Sequence, residues 1–112
     1  MTRRAQGLNG WLLQRLSAAW LGLYAIFFLA LLLVSPPPDH AAWRGWMAEP
    51  LMAVATLVTL LLLLVHAWIG GRDIIQDYLH PLAARGVALS LLGLALLACG
   101  AWALLIVVGV AT

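Results

Sequence analysis

The sequence contains no lysine and very little charge of any kind: six arginines face four acids among 112 residues. It also has a single cysteine, Cys99, set in its most apolar stretch, which excludes a disulfide framework and a thiolate metal site. What fills the chain instead is apolar, at 65% of residues with 9% charged, and the mean hydropathy is +1.04. A soluble protein of this size keeps about 40% of its unfolded surface exposed, and ten charges cannot wet that area. The composition excludes a free-standing soluble globule, a disordered chain and a nucleic-acid binder. The formal net charge of +2 is read as a membrane-orientation signal and not as a polyanion footprint. The chain is a single integral membrane domain over 1–112.

Three segments are long enough to cross a hydrocarbon core, which takes roughly 20 helical residues. Leu16 to Val34 carries no charge, with Ser17 its only hydroxyl besides the Tyr24 phenol. Leu51 to Gly71 has no acid or arginine but contains His66, and Gly86 to Ala111 has no ionisable group except Cys99. Helix is the predicted form, because three spans cannot close a barrel and only helices satisfy their own backbone in lipid. The expected fold is all-α, with three transmembrane helices.

Proline marks the breaks. Ser35-Pro36-Pro37-Pro38-Asp39 ends the first span, Pro50 suits the first turn of the second, and Pro81 separates the second from the third. His40 to Glu49 reads as a short interfacial segment with Trp43 and Trp46 at headgroup depth. The first span is too long for a signal-peptide core, and no small-x-small site follows it. Arginines count five to one: Arg3, Arg4, Arg15, Arg72 and Arg85 against Arg44. The positive-inside rule then places the N-terminus and a 72–85 loop inside and the C-terminus outside. The small residues Gly86, Ser90, Gly93, Ala98 and Gly100 on the third span suit close helix packing. Trp11, Trp20, Trp68 and Trp102 read as interface or packing residues.

Polar groups inside a membrane are costly, so each raises a functional question. His66 lies five residues from the end of span two, about 8 Å inside it. A neutral imidazole there can ligate haem iron, tie one helix to another or relay protons. If it binds haem, the second axial ligand comes from another subunit, since His40 lies on the opposite side and His80 beyond the span. Asp73 and Asp77 share a helix face at i,i+4, and Arg72 can pair with these acids and with lipid headgroups. Asp77-Tyr78 joins an acid to a phenol at interface depth, a pair that can hydrogen-bond a quinone or simply belong to an aromatic belt. Arg15 can anchor the first helix at the headgroups or bind a carboxylate such as a haem propionate.

His66-Ala67-Trp68-Ile69-Gly70, then Asp77-Tyr78, then Pro81-Leu82-Ala83 and Arg85 read H-A-W-I-G-x6-D-Y-x2-P-L-A-x-R. This closely resembles the second helix and following loop of the smaller, cytochrome b556-type hydrophobic membrane-anchor subunit of succinate dehydrogenase (respiratory complex II). Upstream, Gln14-Arg15-Leu16-Ser17-Ala18 resembles that family's Q-R-x-[S/T]-A, and the three-span layout matches along nearly the whole chain. The resemblance implies His66 as the axial ligand of haem b, Tyr78 as the quinone-binding tyrosine and Asp77 as the acid beside it. It implies Arg15 near the haem propionates and the quinone pocket, and assigns no role to His80 or to Gly71-Arg72-Asp73. It further implies a second three-helix anchor, an iron–sulfur subunit and a flavoprotein as partners. In such a complex succinate is oxidised at the flavoprotein and electrons reach ubiquinone or menaquinone at the membrane boundary. With no flavin motif and no cysteine cluster, this chain would not catalyse that reaction alone. The expected location is the bacterial inner membrane, in preference to the mitochondrial one. A haem-less structural anchor and a small proton-relay or transport subunit are the alternatives. The second is disfavoured because Asp73 and Asp77 lie at the end of a span and not at mid-membrane.

Overall fold

The first apolar segment continues an unbroken helix on both sides until proline stops it. In the computed structural model, which describes residues 3–111 and the side chains of 7–110, α1 spans Arg3–Val34. Its last turn closes with the Ser35 amide on the Leu31 carbonyl, just before the three prolines. At 1.5 Å per residue its 32 residues measure about 48 Å, well beyond a hydrocarbon core of about 30 Å. The side chains of Arg3 and Arg4, which enter the arginine count, lie outside the described residues.

The interfacial segment is itself a helix, α2 (His40–Ala48). Asp39 caps it, its Oδ1 accepting from the Ala42 amide at 2.8 Å. Trp43 and Trp46 form an aromatic cluster with Phe28 of α1, with ring centroids 5.4–5.8 Å apart. Arg44 Nη2 donates to the Gly109 carbonyl at 3.2 Å, a cation set on the last turn of the third long helix.

Pro50 occupies the first turn of α3 (Pro50–Tyr78), where its missing amide costs nothing. Here the 72–85 loop expectation needs correction: α3 runs on through Arg72, Asp73 and Asp77, and the connection is only residues 79–81. Nothing between Gly71 and Tyr78 breaks a helix, so loss of apolar character marks where lipid ends, not where the backbone hydrogen bonds end. Past Pro81, α4 covers Leu82–Ala111. Arg85 closes the turn by donating through Nη2 to the Gln76 carbonyl at 2.8 Å and through Nε to the Leu79 carbonyl.

The three long helices run up, down and up, with α3 in the middle. It packs on both neighbours, whereas among the described residues no Cα of α1 comes within 8 Å of α4. Against α4 the packing is tight at Gly71 and Gly100, where an added Cβ would fall 2.7 Å from a methyl of Leu92 and of Leu64. Gly93 packs on Trp68, while Gly86 meets nothing, so only part of the small-residue stripe serves this contact. Among the described residues the buried set is small: Ser17, Met52, Ala53, Ile69 and Val107. Leucine, isoleucine and valine cover the outside instead, as suits lipid or a partner helix. By length and apolarity Gly7–Val34, Pro50–Tyr78 and Leu82–Val110 each suffice to cross a membrane. The chain is an all-α membrane protein.

Candidate functional site

Side-chain hydrogen bonds register α1 against α3 as three rungs. Tyr24 meets Thr56 at 2.8 Å, Trp20 Nε1 donates to Thr59 at 2.9 Å, and Ser17 Oγ lies 3.0 Å from His66 Nδ1. Each hydroxyl has one proton, and each spends it on its own helix: Thr56 on the Met52 carbonyl, Thr59 on Ala55, Ser17 on Gln14 at 2.9 Å. Each hydroxyl oxygen therefore accepts from across the interface. The two rungs above His66 fix how far α1 slides along α3, and so bring Ser17 to the imidazole.

The tautomer of His66 is assigned from the proton count. With the Ser17 proton placed on the Gln14 carbonyl, His66 Nδ1 takes the hydrogen and donates it to Ser17 Oγ. Its Nε2 is then the nitrogen with the free lone pair, and it has no protein partner among the described residues. Among the described residues Ser17 is the one fully buried side chain, at 0% exposure, so water does not compete for this bond.

His66 lines a cleft of about 590 Å³ between the N-terminal half of α1 and the C-terminal half of α3. Arg15, Trp11 and Gln14 line it from α1, and Arg72 and Asp73 from α3. The Arg15 guanidinium lies over the Trp11 ring, 5.4 Å from its centroid, and has no carboxylate partner among the described residues. Arg72 by contrast pairs with Asp73 at 3.3 Å, as sequence spacing allowed. Gln14 Oε1 is buried without a hydrogen-bond partner, while its Nε2 packs on Gly70. One imidazole, one cation without a carboxylate partner and one amide with a buried, unbonded oxygen thus line the same cleft. No three His, Cys, Asp or Glu side chains converge among the described residues.

Asp77 and Tyr78 are not in this cleft. Both are on the last turn of α3, exposed, with Tyr78 78% accessible. They lie 11 and 12 residues past His66, about 17 and 18 Å along the axis. At 100° per residue Asp77 falls within about 20° of the His66 direction, and Tyr78 about 120° away. His40 and His80 are exposed at opposite ends of the molecule, and neither approaches His66.

Two side chains of the site, Ser17 and Gln14, were not singled out by sequence as functional. The available signal was a lone serine in an otherwise apolar span, but a hydroxyl can bond its own helix, so its target depends on helix register. Trp20, read as an interface or packing residue, is an interhelical donor, and Trp11 is the platform under Arg15.

Comparison with known proteins follows the same lines. Residues 2–107 match the family model described as succinate dehydrogenase/fumarate reductase transmembrane subunit. A succinate dehydrogenase hydrophobic membrane anchor subunit of Coxiella burnetii is 32% identical over 99 residues, covering 88% of this chain and 86% of that protein. The subunits of the same name from Rickettsia conorii and Rickettsia felis are 32% and 33% identical over 74 and 72 residues. Those matches cover 65% and 64% of this chain, and 59% and 60% of the relatives. With three apolar helices in the right order and the match running almost end to end, the chain belongs to the family of succinate dehydrogenase/fumarate reductase transmembrane subunits.

Proposed function

We propose that this chain, a membrane-anchor subunit of succinate dehydrogenase, holds one side of a b-type haem and helps complete a quinone-reduction site. The observation that carries the reading is the Ser17 Oγ–His66 Nδ1 contact: with the Ser17 proton on Gln14, Nε2 is the lone-pair nitrogen of a residue that lines the cleft. That is the arrangement a metal-ligating histidine needs, with the non-ligating nitrogen oriented by a protein acceptor. Arg15, with no carboxylate partner in the same cleft, offers charge-assisted hydrogen bonds to an anionic carboxylate of the group. When bound, haem supplies a one-electron redox centre. The chain's own residues bind it, orient it and exclude water from its near face.

Tyr78 and Asp77 act elsewhere on the same end of α3. The phenol donates a hydrogen bond to a quinone carbonyl oxygen, and the carboxylate beside it holds or passes a proton as the quinone is reduced. Both side chains are exposed here, so a neighbouring subunit supplies the other wall of that pocket. A second three-helix anchor gives the other haem ligand, an iron–sulfur subunit delivers electrons and a flavoprotein oxidises succinate. The turn at residues 79–81 then faces the cytoplasm of a bacterial cell from its inner membrane, as the arginine asymmetry implies.

The Ser17–His66 bond also suits a second reading, a haem-less anchor in which the imidazole only ties α3 to α1. A reduced-minus-oxidised spectrum of the complex purified from its own membranes separates the two. A b-type α band supports haem ligation, and a fully assembled, active complex without one leaves the structural anchor.

A further inference from the structure

The bond that fixes His66 has a consequence beyond holding a ring in place. We infer that Ser17 is a positioning residue that sets both the affinity and the reduction potential of the haem, acting through His66. The inference rests on the haem reading above and goes beyond it by naming the group that controls the ligand.

The relay has a direction. His66 Nδ1–H donates to Ser17 Oγ, and Ser17 in turn donates to the Gln14 carbonyl. An oxygen that is already giving its proton away is a stronger acceptor, because hydrogen bonds in series polarise one another. It draws the Nδ1 proton outward and raises electron density on Nε2, making the imidazole a stronger donor to iron. A stronger donor favours the ferric state over the ferrous one, which lowers the potential. Ser17 is wholly buried, so no water replaces it when the hydroxyl is removed. The Nδ1–H is then left unpaired, and the ring is free to turn or to move its proton to Nε2, the tautomer that cannot ligate.

Ser17 sits on a different helix from its target, 49 positions away, so the effect also makes haem potential depend on how α1 registers on α3. Threonine keeps the acceptor oxygen and should preserve the relay. Cysteine fills a similar volume but accepts weakly.

The test compares wild-type, Ser17→Ala, Ser17→Thr and Ser17→Cys complexes, with His66→Ala as reference, by haem content and potentiometric titration of the haem band. Ser17→Ala should bind haem about tenfold more weakly. Its ferric-to-ferrous balance should shift towards ferrous by up to tenfold, a rise of about 59 mV for a one-electron couple. Ser17→Thr should stay within about twofold of wild type. Should the alanine variant fail to assemble, Ser17→Cys carries the test and must move the potential in the same direction. Wild-type affinity and potential in Ser17→Ala, against a haem that His66→Ala abolishes, overturn the role of Ser17 and leave the haem reading standing. Haem retained at unchanged potential in His66→Ala overturns both.

Discussion

The Ser17 hydroxyl and the His66 Nδ1 stand 3.0 Å apart across the α1–α3 interface. That one distance joins the only fully buried side chain among the described residues to the only histidine inside a span. With the Ser17 proton spent on Gln14, it also decides which face of the imidazole is chemically available.

The exposed phenol on the last turn of α3 gives the first expectation. Tyr78→Phe should lower quinone reductase activity about tenfold, the equivalent of one hydrogen bond of about 1.4 kcal/mol. Succinate oxidation with an artificial dye should hold near wild type, because the proposed complex carries its flavin in another subunit. Equal loss in both assays would assign Tyr78 to assembly.

Arg85 bridges the Gln76 and Leu79 carbonyls, so it holds the turn that follows Asp77-Tyr78. Arg85→Ala should raise the KM for quinone several-fold while the haem band keeps its shape and intensity. Arg85→Lys should recover only part of this, since an ammonium lacks the planar fork that spans two acceptors. An unchanged KM in the alanine variant would separate the turn from the quinone site.

The rungs beyond His66 should carry modest energy. A double-mutant cycle of Trp20→Phe with Thr59→Val should give a coupling of about 0.6 kcal/mol, the usual size for an interhelical hydrogen bond in a membrane. Unfolding in mixed micelles measures it. Zero coupling would mean that the helices register by shape alone.

Orientation is open to direct labelling because Cys99 is the sole cysteine. In a Cys99→Ser background, a thiol at His80 should react with a membrane-impermeant reagent only after the cytoplasmic side is opened, and one at His40 in intact spheroplasts. The reverse pattern would invert the membrane orientation and place Tyr78 on the outer side.

The sequence made the three spans legible, since apolar runs of this length between prolines have few other uses. It could not show that the helices outrun the spans, as α1 does towards Arg3 and α3 does towards Tyr78, because polar helix and polar loop share a composition. His66 and Arg15 were readable as rare polar groups, and the fold brings both to one cleft. Asp77 and Tyr78 were readable too, yet they lie about three turns along α3 from His66, exposed on its last turn. Ser17 was visible only as an oddity. Its partner follows from the antiparallel register, which the Thr56 and Thr59 rungs set and no local pattern announces.

The central claim is that His66 Nε2 binds haem iron, and a histidine scan of the assembled complex tests it most directly. Reduced-minus-oxidised spectra of wild type, His40→Ala, His80→Ala and His66→Ala should show the b-type band in the first three and lose it in the last. A band of full intensity in His66→Ala, in a complex that still assembles, would contradict the account.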